Sequence, residues 1–261
     1  MRLLRLLTVA FGLVLVTFGF GAEGALGQSG SPEPTYPAWF RSMPASSSAL
    51  WAVGYARGYS ALEAGMDSAR ASAYERLRRA RRAVVEGKKI YESAPGFQMS
   101  FEGANFTETG LPDTLQPVTY VDSAMAGGMT LVLAAWTPEG APPRISPSLK
   151  RRTLFSEEPP SWVRNGAPDG PKTKRAIGSA QRYYHLESSW RRAEQRARYR
   201  LAFQAISKIE RLKKSTEDWR HGVMSIKTKA RLYRVQATAR WANEETCYVL
   251  VEGRVEEASV E

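Results

Sequence analysis

Two stretches of the chain carry the same apolar stripe. In the first, Leu62, Met66, Ala69, Ala73, Leu77, Ala80 and Val84 recur every three or four residues, which places them on one side of an amphipathic helix. In the second, Trp190, Ala193, Ala197, Leu201, Ala205 and Ile209 do the same, with Leu212 at the end. Ser60 and Glu63 have the spacing of a capping box. The first helix is therefore expected to run from there to about Glu86, with Gly87 as its stop. The second is expected from about Glu187 to Lys213. Polar and arginine side chains fill the remaining faces, and the small alanines allow close contact with a sheet.

A short apolar strand precedes each helix: Trp51–Ala56 and Ala176–Ala180. Each has an interior glycine, Gly54 and Gly178, which implies close backbone approach or a bulge. Further upstream stand Pro37-Ala38-Trp39 and Pro160-Ser161-Trp162. In each, a proline fixes an extended lead-in and a tryptophan offers a large group to pack. After the first helix, Phe97–Phe101 alternates with period two. With Val118–Asp122 and Met129–Trp136 it predicts a three-stranded antiparallel meander. After the second, Val223–Ala242 predicts one long bent strand and Thr246–Val255 a last one.

The landmarks share one offset. Pro37 to Pro160 is 123 residues; Gly54 to Gly178, Ala69 to Ala193, Ala73 to Ala197 and Leu77 to Leu201 are each 124. The expected fold class is α+β: two tandem repeats, each a long amphipathic helix packed on a small antiparallel sheet. The first repeat covers 37–136 and the second 160–255. Between them, 137–159 holds five prolines, Pro138, Pro142, Pro143, Pro147 and Pro159, and reads as a linker. Residues 28–36 read as a flexible leader and 256–261 as an acidic tail.

The first 27 residues read as a secretory signal peptide. Arg2 and Arg5 flank a short basic start, Leu6 to Phe20 is almost wholly apolar, and Ala25-Leu26-Gly27 offers a small-x-small cleavage site. Export changes how the charge is read. The chain carries a formal +11, a balance that favours polyanions. Outside the cytoplasm nucleic acid is an unlikely partner, and anionic lipid or polysaccharide replaces it. Cys247 is the single cysteine; it excludes an intramolecular disulfide and reads as a buried structural thiol within an alternating strand.

Candidate chemistry is sparse. His185 and His221 have no second ligand at metal spacing, no nucleophile elbow or phosphate-binding loop occurs in the mature chain, and the acids of the first helix stand among arginines. No catalytic, metal or cofactor-binding residue is assigned, and no cofactor is expected. The second helix is the main candidate surface. Arg191, Arg192, Arg196, Arg198, Arg200, Lys208, Arg211, Lys213 and Lys214 are interleaved with Tyr183, Tyr184, Trp190, Tyr199 and Phe203. Arg192, Arg196, Lys208 and Arg211 are the expected contacts for an anionic partner.

Pro-x-Trp, a strand with Gly-x-Ala, a helix with Ala-x-x-x-Ala-x-x-x-Leu and a closing apolar hairpin together resemble the Lpp-twenty type of bacterial envelope lipoprotein, which includes flagellum-associated outer-membrane lipoproteins. The matching positions are Pro37, Trp39, Gly54, Ala56, Ala69, Ala73 and Leu77, then Pro160, Trp162, Gly178, Ala180, Ala193, Ala197 and Leu201. The resemblance implies a small α+β domain, an envelope location and no catalytic residues. One departure is clear: Gln28, not a cysteine, follows the cleavage site, so the family's lipid attachment has no acceptor there. The expected function is a non-enzymatic, exported structural or protein-interaction module at the periplasm or outer-membrane periphery. Its partners would be envelope proteins, met at sheet edges, with a homo-oligomer as a further option. Binding of an anionic polymer or lipid is the alternative, and a hydrolase with an unrecognised site is a third.

Overall fold

A computed structural model describes residues 34–261 apart from 46–47, 59–60, 95–96, 102–106, 111–113, 139–143, 214–221 and 258–261, and leaves aside the side chains of 88–101 and 206–228. The expected signal peptide, most of the leader, Ser60, His221, the tail beyond Glu257 and the side chains of Lys208 and Arg211 lie outside the described residues. Glu33–Glu261 forms one compact unit.

The fold is mixed α+β with antiparallel sheets. Its elements are β1 (Tyr36–Pro37), α1 (Ala38–Arg41), β2 (Leu50–Arg57), α2 (Leu62–Arg81), β3 (Arg82–Ala94), β4 (Phe97–Phe101), β5 (Thr107–Gly110), β6 (Val118–Ala126), β7 (Met129–Trp136), β8 (Arg152–Thr153), α3 (Ser161–Asn165), β9 (Lys174–Gln181), α4 (Leu186–Lys213), β10 (Gly222–Ala242) and β11 (Thr246–Glu257). One sheet has the order β2-β7-β6; a larger one runs β4-β3-β10-β11-β9, with β5 also on β3. The pair β1-β8 stands apart.

The strand–helix–hairpin order gives both halves the same local arrangement. β2 leads into α2 and lies beside the β6-β7 hairpin; β9 leads into α4 and lies beside the β10-β11 hairpin. In each case the helix crosses the leading strand at its glycine. A Cβ on Gly54 would lie 1.9 Å from the Ala69 carbonyl oxygen and 2.6 Å from the Ala73 amide nitrogen; one on Gly178 would lie 2.0 Å from the Ala193 carbonyl oxygen and 2.3 Å from the Ala197 amide nitrogen. Backbone therefore rests on backbone, and the four alanines are fully buried. Glycine is required here by space, since any side chain would occupy the volume of the helix itself.

β2 and β7 are buried on both faces, which explains their unbroken apolar runs. Leu50, Ala52, Ala56, Val132 and Ala134 pack with Ala69, Ala73 and Leu77 of α2. The alternate residues Trp51, Val53, Tyr55, Leu131 and Leu133 turn to the larger core, where they join Trp39, Phe40, Trp190, Ala193, Leu201 and Val249. Burying an aromatic or aliphatic side chain this fully contributes about 1.5–3 kcal/mol. The larger core thus draws on both halves of the chain.

Several expectations are corrected. Helix α2 stops at Arg81, five residues before the expected end, and β3 begins at Arg82 without a break. Ala83 and Val85 are fully buried while their neighbours are not; the period-two pattern and β-branched side chains there outweigh the helical stripe that included Val84. Gly87 lies within this strand. The N-cap of α2 is Ala61, with no side-chain cap hydrogen bond. The expected meander also divides: β4 pairs with β3 and joins the larger sheet, leaving β6 and β7 with β2. β3 then pairs with β10 from Arg82↔Tyr233 to Ser93↔Gly222, so a first-half strand enters the second-half sheet. Part of the expected linker is ordered: Pro147–Lys150 forms a 3-10 turn, β8 pairs with β1, Phe155 is buried, and the Trp241 indole donates to the Ser156 carbonyl at 2.9 Å. Glu256 and Glu257, the start of the expected acidic tail, belong to β11.

Two of the outer strands, β2 and β9, have edge groups taken up by side chains. β2 donates from Trp51 N to Gln236 Oε1 (3.0 Å) and from Tyr55 N to Ser72 Oγ (3.3 Å), and its Tyr55 carbonyl accepts from Arg191 (2.9 Å). On β9, the Ser179 and Ile177 carbonyls accept from Arg196 (2.8 Å) and Arg200 (2.9 Å). Such contacts occupy groups that an added strand would need.

Two substitutions test the helix–glycine contact. Gly54→Ala and Gly178→Ala should each destabilise the chain by at least about 3 kcal/mol, because overpacking against rigid backbone exceeds the ordinary range. Thermal unfolding followed by circular dichroism should show a fall of about 6–12 °C for either. An unchanged midpoint would show that the helices do not lie on these strands.

Candidate functional site

The ionisable groups that the fold brings together lie at the junction of the two halves. Tyr55 comes from β2, Arg76 from α2, Glu194 from α4 and Arg240 from β10. The Glu194 carboxylate oxygen Oε2 receives Arg76 Nη1 at 2.6 Å, the Tyr55 hydroxyl at 3.2 Å and lies 3.6 Å from Arg240 Nη2. Arg240 donates from Nε to the Tyr55 hydroxyl at 2.8 Å and from Nη1 to the Phe40 carbonyl at 3.2 Å. Its guanidinium stands 5.1 Å from the Phe40 ring centre, and that of Arg76 stands 4.2 Å from the Tyr55 ring centre. The Arg240 side chain is 1% exposed, so its charge depends on these partners.

A second buried arginine lies one turn further along α4. Arg198 donates from Nε to Glu108 of β5 at 2.6 Å, from Nη1 to the Val235 carbonyl at 2.6 Å and from Nη2 to the Arg79 carbonyl at 2.9 Å. Val235 lies in the irregular stretch of β10 between Tyr233 and Gln236. Arg79 lies in the last turn of α2, where carbonyls lack helical partners. One guanidinium thus joins α4, β5, β10 and the end of α2.

Burial opposes ionisation of Glu194, but Arg76, Arg240 and Arg198, with the Tyr55 hydroxyl, outweigh it and hold its pKa below the ordinary 4.5. Burial likewise works against the charge on Arg76, and Glu194 and Tyr55 outweigh it, so its pKa is raised. Burial pushes the Tyr55 hydroxyl up to about 12 despite the nearby arginines. At neutral pH the tyrosine stays protonated and the carboxylate ionised. Donors and acceptors face one another, so the arrangement acts as an ionic lock across β2, α2, α4 and β10.

The residues assigned from the sequence separate. Trp39 is fully buried and its indole donates to Asp122 at 2.9 Å, whereas Trp162, on α3, is only partly buried. Pro37 and Pro160 each precede a short helix as an extended N-cap. Arg192, Arg196 and Arg200 are exposed along α4 at four-residue spacing, which aligns them on one face. Arg192 also donates to Gln195 at 3.3 Å. Arg198, assigned to the same basic surface, is instead buried. The aromatics do not share one face either: Tyr184 is 97% exposed, while Trp190 and Tyr199 are buried. Sequence reasoning missed Glu194 as a site. Its signal was position, a carboxylate directly after Ala193 on the buried side of α4, where an acid is rare unless paired.

Cys247 is fully buried beside a small cleft lined by Tyr36, Phe155, Arg182, Leu186, Trp190 and Ala242. Burial raises its thiol to about 12, against a smaller lowering by Arg182, so the reactive thiolate is scarce.

Glu194 makes stability pH-dependent with a definite sign. Its pKa is lower in the folded chain, so its contribution is fully present above about 4.5 and is lost as pH falls from there toward the folded value. Urea unfolding at pH 7, 4.5 and 3 should show a decline that is smaller in Glu194→Gln. That variant should lose about 3–5 kcal/mol at pH 7, since it leaves buried arginines uncompensated, and Arg76→Met added to it should restore part of the loss. A pH response equal to the parent's would remove Glu194 as its source. Cys247 should react with a thiol reagent at least about a hundredfold faster in denaturant than in the native chain; equal rates would contradict its burial. No protein-family model matches this chain, and neither a curated protein nor a solved structure does so.

Proposed function

We propose that this chain is an exported, non-enzymatic component of a bacterial cell envelope, and that it was built by tandem duplication of one α+β unit. The common offset of 123–124 residues supports the duplication. So does the recurrence of one contact, a glycine under two alanines four residues apart, in the same strand order. The structural or interaction role rests chiefly on one observation. Tyr55, Arg76, Glu194 and Arg240 are spent on holding the halves together, as a rigid scaffold requires. The signal-like first 27 residues support export, and the Lpp-twenty resemblance supports the envelope setting, at the periplasm or outer-membrane periphery. Envelope proteins, including a flagellum-associated assembly, are the proposed partners. Cell fractionation tests the location: the chain should appear in the envelope or periplasm, and recovery in the cytosol would overturn the reading.

A second reading is favoured by the exposed stripe of Arg192, Arg196 and Arg200. Arg196 and Arg200 each place a nitrogen on a β9 carbonyl, which holds the guanidinium in place while other N–H groups remain outside. A line of three guanidiniums suits phosphate-bearing lipid or polysaccharide. The double variant Arg192→Gln/Arg196→Gln should reduce sedimentation with anionic vesicles at least about fivefold at low salt, and added salt should do the same to the parent. Binding that is insensitive to both would remove the reading.

A further inference from the structure

We propose that the exposed arginine row of α4 seats a linear phosphodiester polymer, laid along the outer edge of β9 with one phosphate on each guanidinium. Arg192, Arg196 and Arg200 are exposed and stand four residues apart. Each spends the same nitrogen within the protein. Nη1 of Arg192 donates to Gln195 Oε1 at 3.3 Å, Nη1 of Arg196 to the Ser179 carbonyl at 2.8 Å, and Nη1 of Arg200 to the Ile177 carbonyl at 2.9 Å. The Nε and Nη2 donors of all three make no hydrogen bond or ion pair with a described residue. That edge of a guanidinium is a fork able to grip two oxygens of one oxyanion.

The spacing selects a linked chain over separate head groups. The Ser179 and Ile177 carbonyls are two residues apart on one strand, which sets them about 6.6 Å apart. Arg196 and Arg200 are four residues apart on the helix, a rise of about 6 Å. Strand and helix impose nearly the same repeat, and the carbonyls hold two of the three guanidiniums to it. Phosphates joined through three-carbon bridges can keep that interval in an extended chain. Directly condensed phosphates stand much closer and would leave guanidiniums unmatched. Lipid head groups are separate molecules, so each contact is a new binding event. In a polymer the second and third contacts are intramolecular and follow from the first.

The strand edge beside the row is prepared for an acceptor. In an antiparallel ladder the N–H and C=O of one residue point the same way. Arg175 sets the phase on β9: its amide turns away from β11 to Asp169 Oδ1, at 3.1 Å. Ile177 and Ser179 follow at two-residue steps without a register shift. Their amides therefore face the outer edge, next to carbonyls that the arginines already occupy. A peptide strand added there needs donors and acceptors in alternation, and these acceptors are taken. What remains is donors, which suits a ligand rich in acceptors. The acids at the start of β9 are already neutralised, Asp169 by Lys174 at 2.7 Å and Glu252 by Arg175 at 2.8 Å.

This polymer site rests on the anionic-partner reading of the same stripe, and it is tested so that the two can fail separately. Fluorescein-labelled oligomers of propanediol phosphate, with one, two, three, four and six phosphates, would be titrated with the purified full-length chain at low salt and followed by anisotropy. Affinity should rise at least about tenfold for the second phosphate and again for the third, then change little. Arg192→Gln, whose side chain is not bonded to β9, should move that break from three phosphates to two. Arg196→Gln should weaken binding of the three-phosphate oligomer at least about tenfold. Arg196→Lys, which keeps the charge without the fork, should recover only part of it. Arg70→Gln, an equal charge change on α2, should leave the series as it is. A smooth rise with total charge, or an equal loss in Arg70→Gln, would overturn the polymer site even where anionic vesicles bind through the stripe. Absence of binding to oligomers and vesicles alike would remove both.

Discussion

The carboxylate of Glu194 binds the two halves of this chain through buried charge, beside the β3-β10 pairing and the shared core. It lies on α4, yet its strongest partner is Arg76 of α2, and the Tyr55 hydroxyl and Arg240 complete its surroundings. Removing one member of such a group costs more than the group contributes over a well-packed apolar alternative. Its donors and acceptors come from β2, α2, α4 and β10, so all four elements must be in place for the group to be satisfied.

Around this lock the arginines explain much of the chain's basic character. Arg198 supplies an α2 carbonyl, a β10 carbonyl and the Glu108 carboxylate. Arg191, Arg196 and Arg200 supply carbonyls of the outer strands β2 and β9. A planar guanidinium with five donors reaches several carbonyls from one side chain, which lysine cannot do. Positive charge here is in part structural, and a smaller exposed set remains for partners.

The proposed function follows from where the remaining polar and aromatic groups are free. The buried constellation is closed upon itself, and the α4 stripe faces outward. The proposed interaction module, with a closed interior and a charged helix face, accommodates both. Among the described residues no helix is long and apolar enough to cross a membrane.

The sequence by itself determined the elements whose signals are local. The three-to-four spacing located α2 and α4, the interior glycines signalled close backbone approach or a bulge, and the long alternation from Val223 was one bent strand. These succeed because helix periodicity and the space beside a glycine are set by near neighbours. Only the tertiary structure decided what depends on distant partners. β3 replaces the last expected turn of α2 because β10 and β5 lie alongside to receive Ala83 and Val85. The proline-rich stretch orders because β1 pairs with β8 and Trp241 reaches Ser156. Arg76, Arg198 and Glu194 become a buried network because chain segments more than a hundred residues apart close around them. Strand pairing and buried charge are non-local, and a one-dimensional pattern shows the groups available without showing which of them will meet.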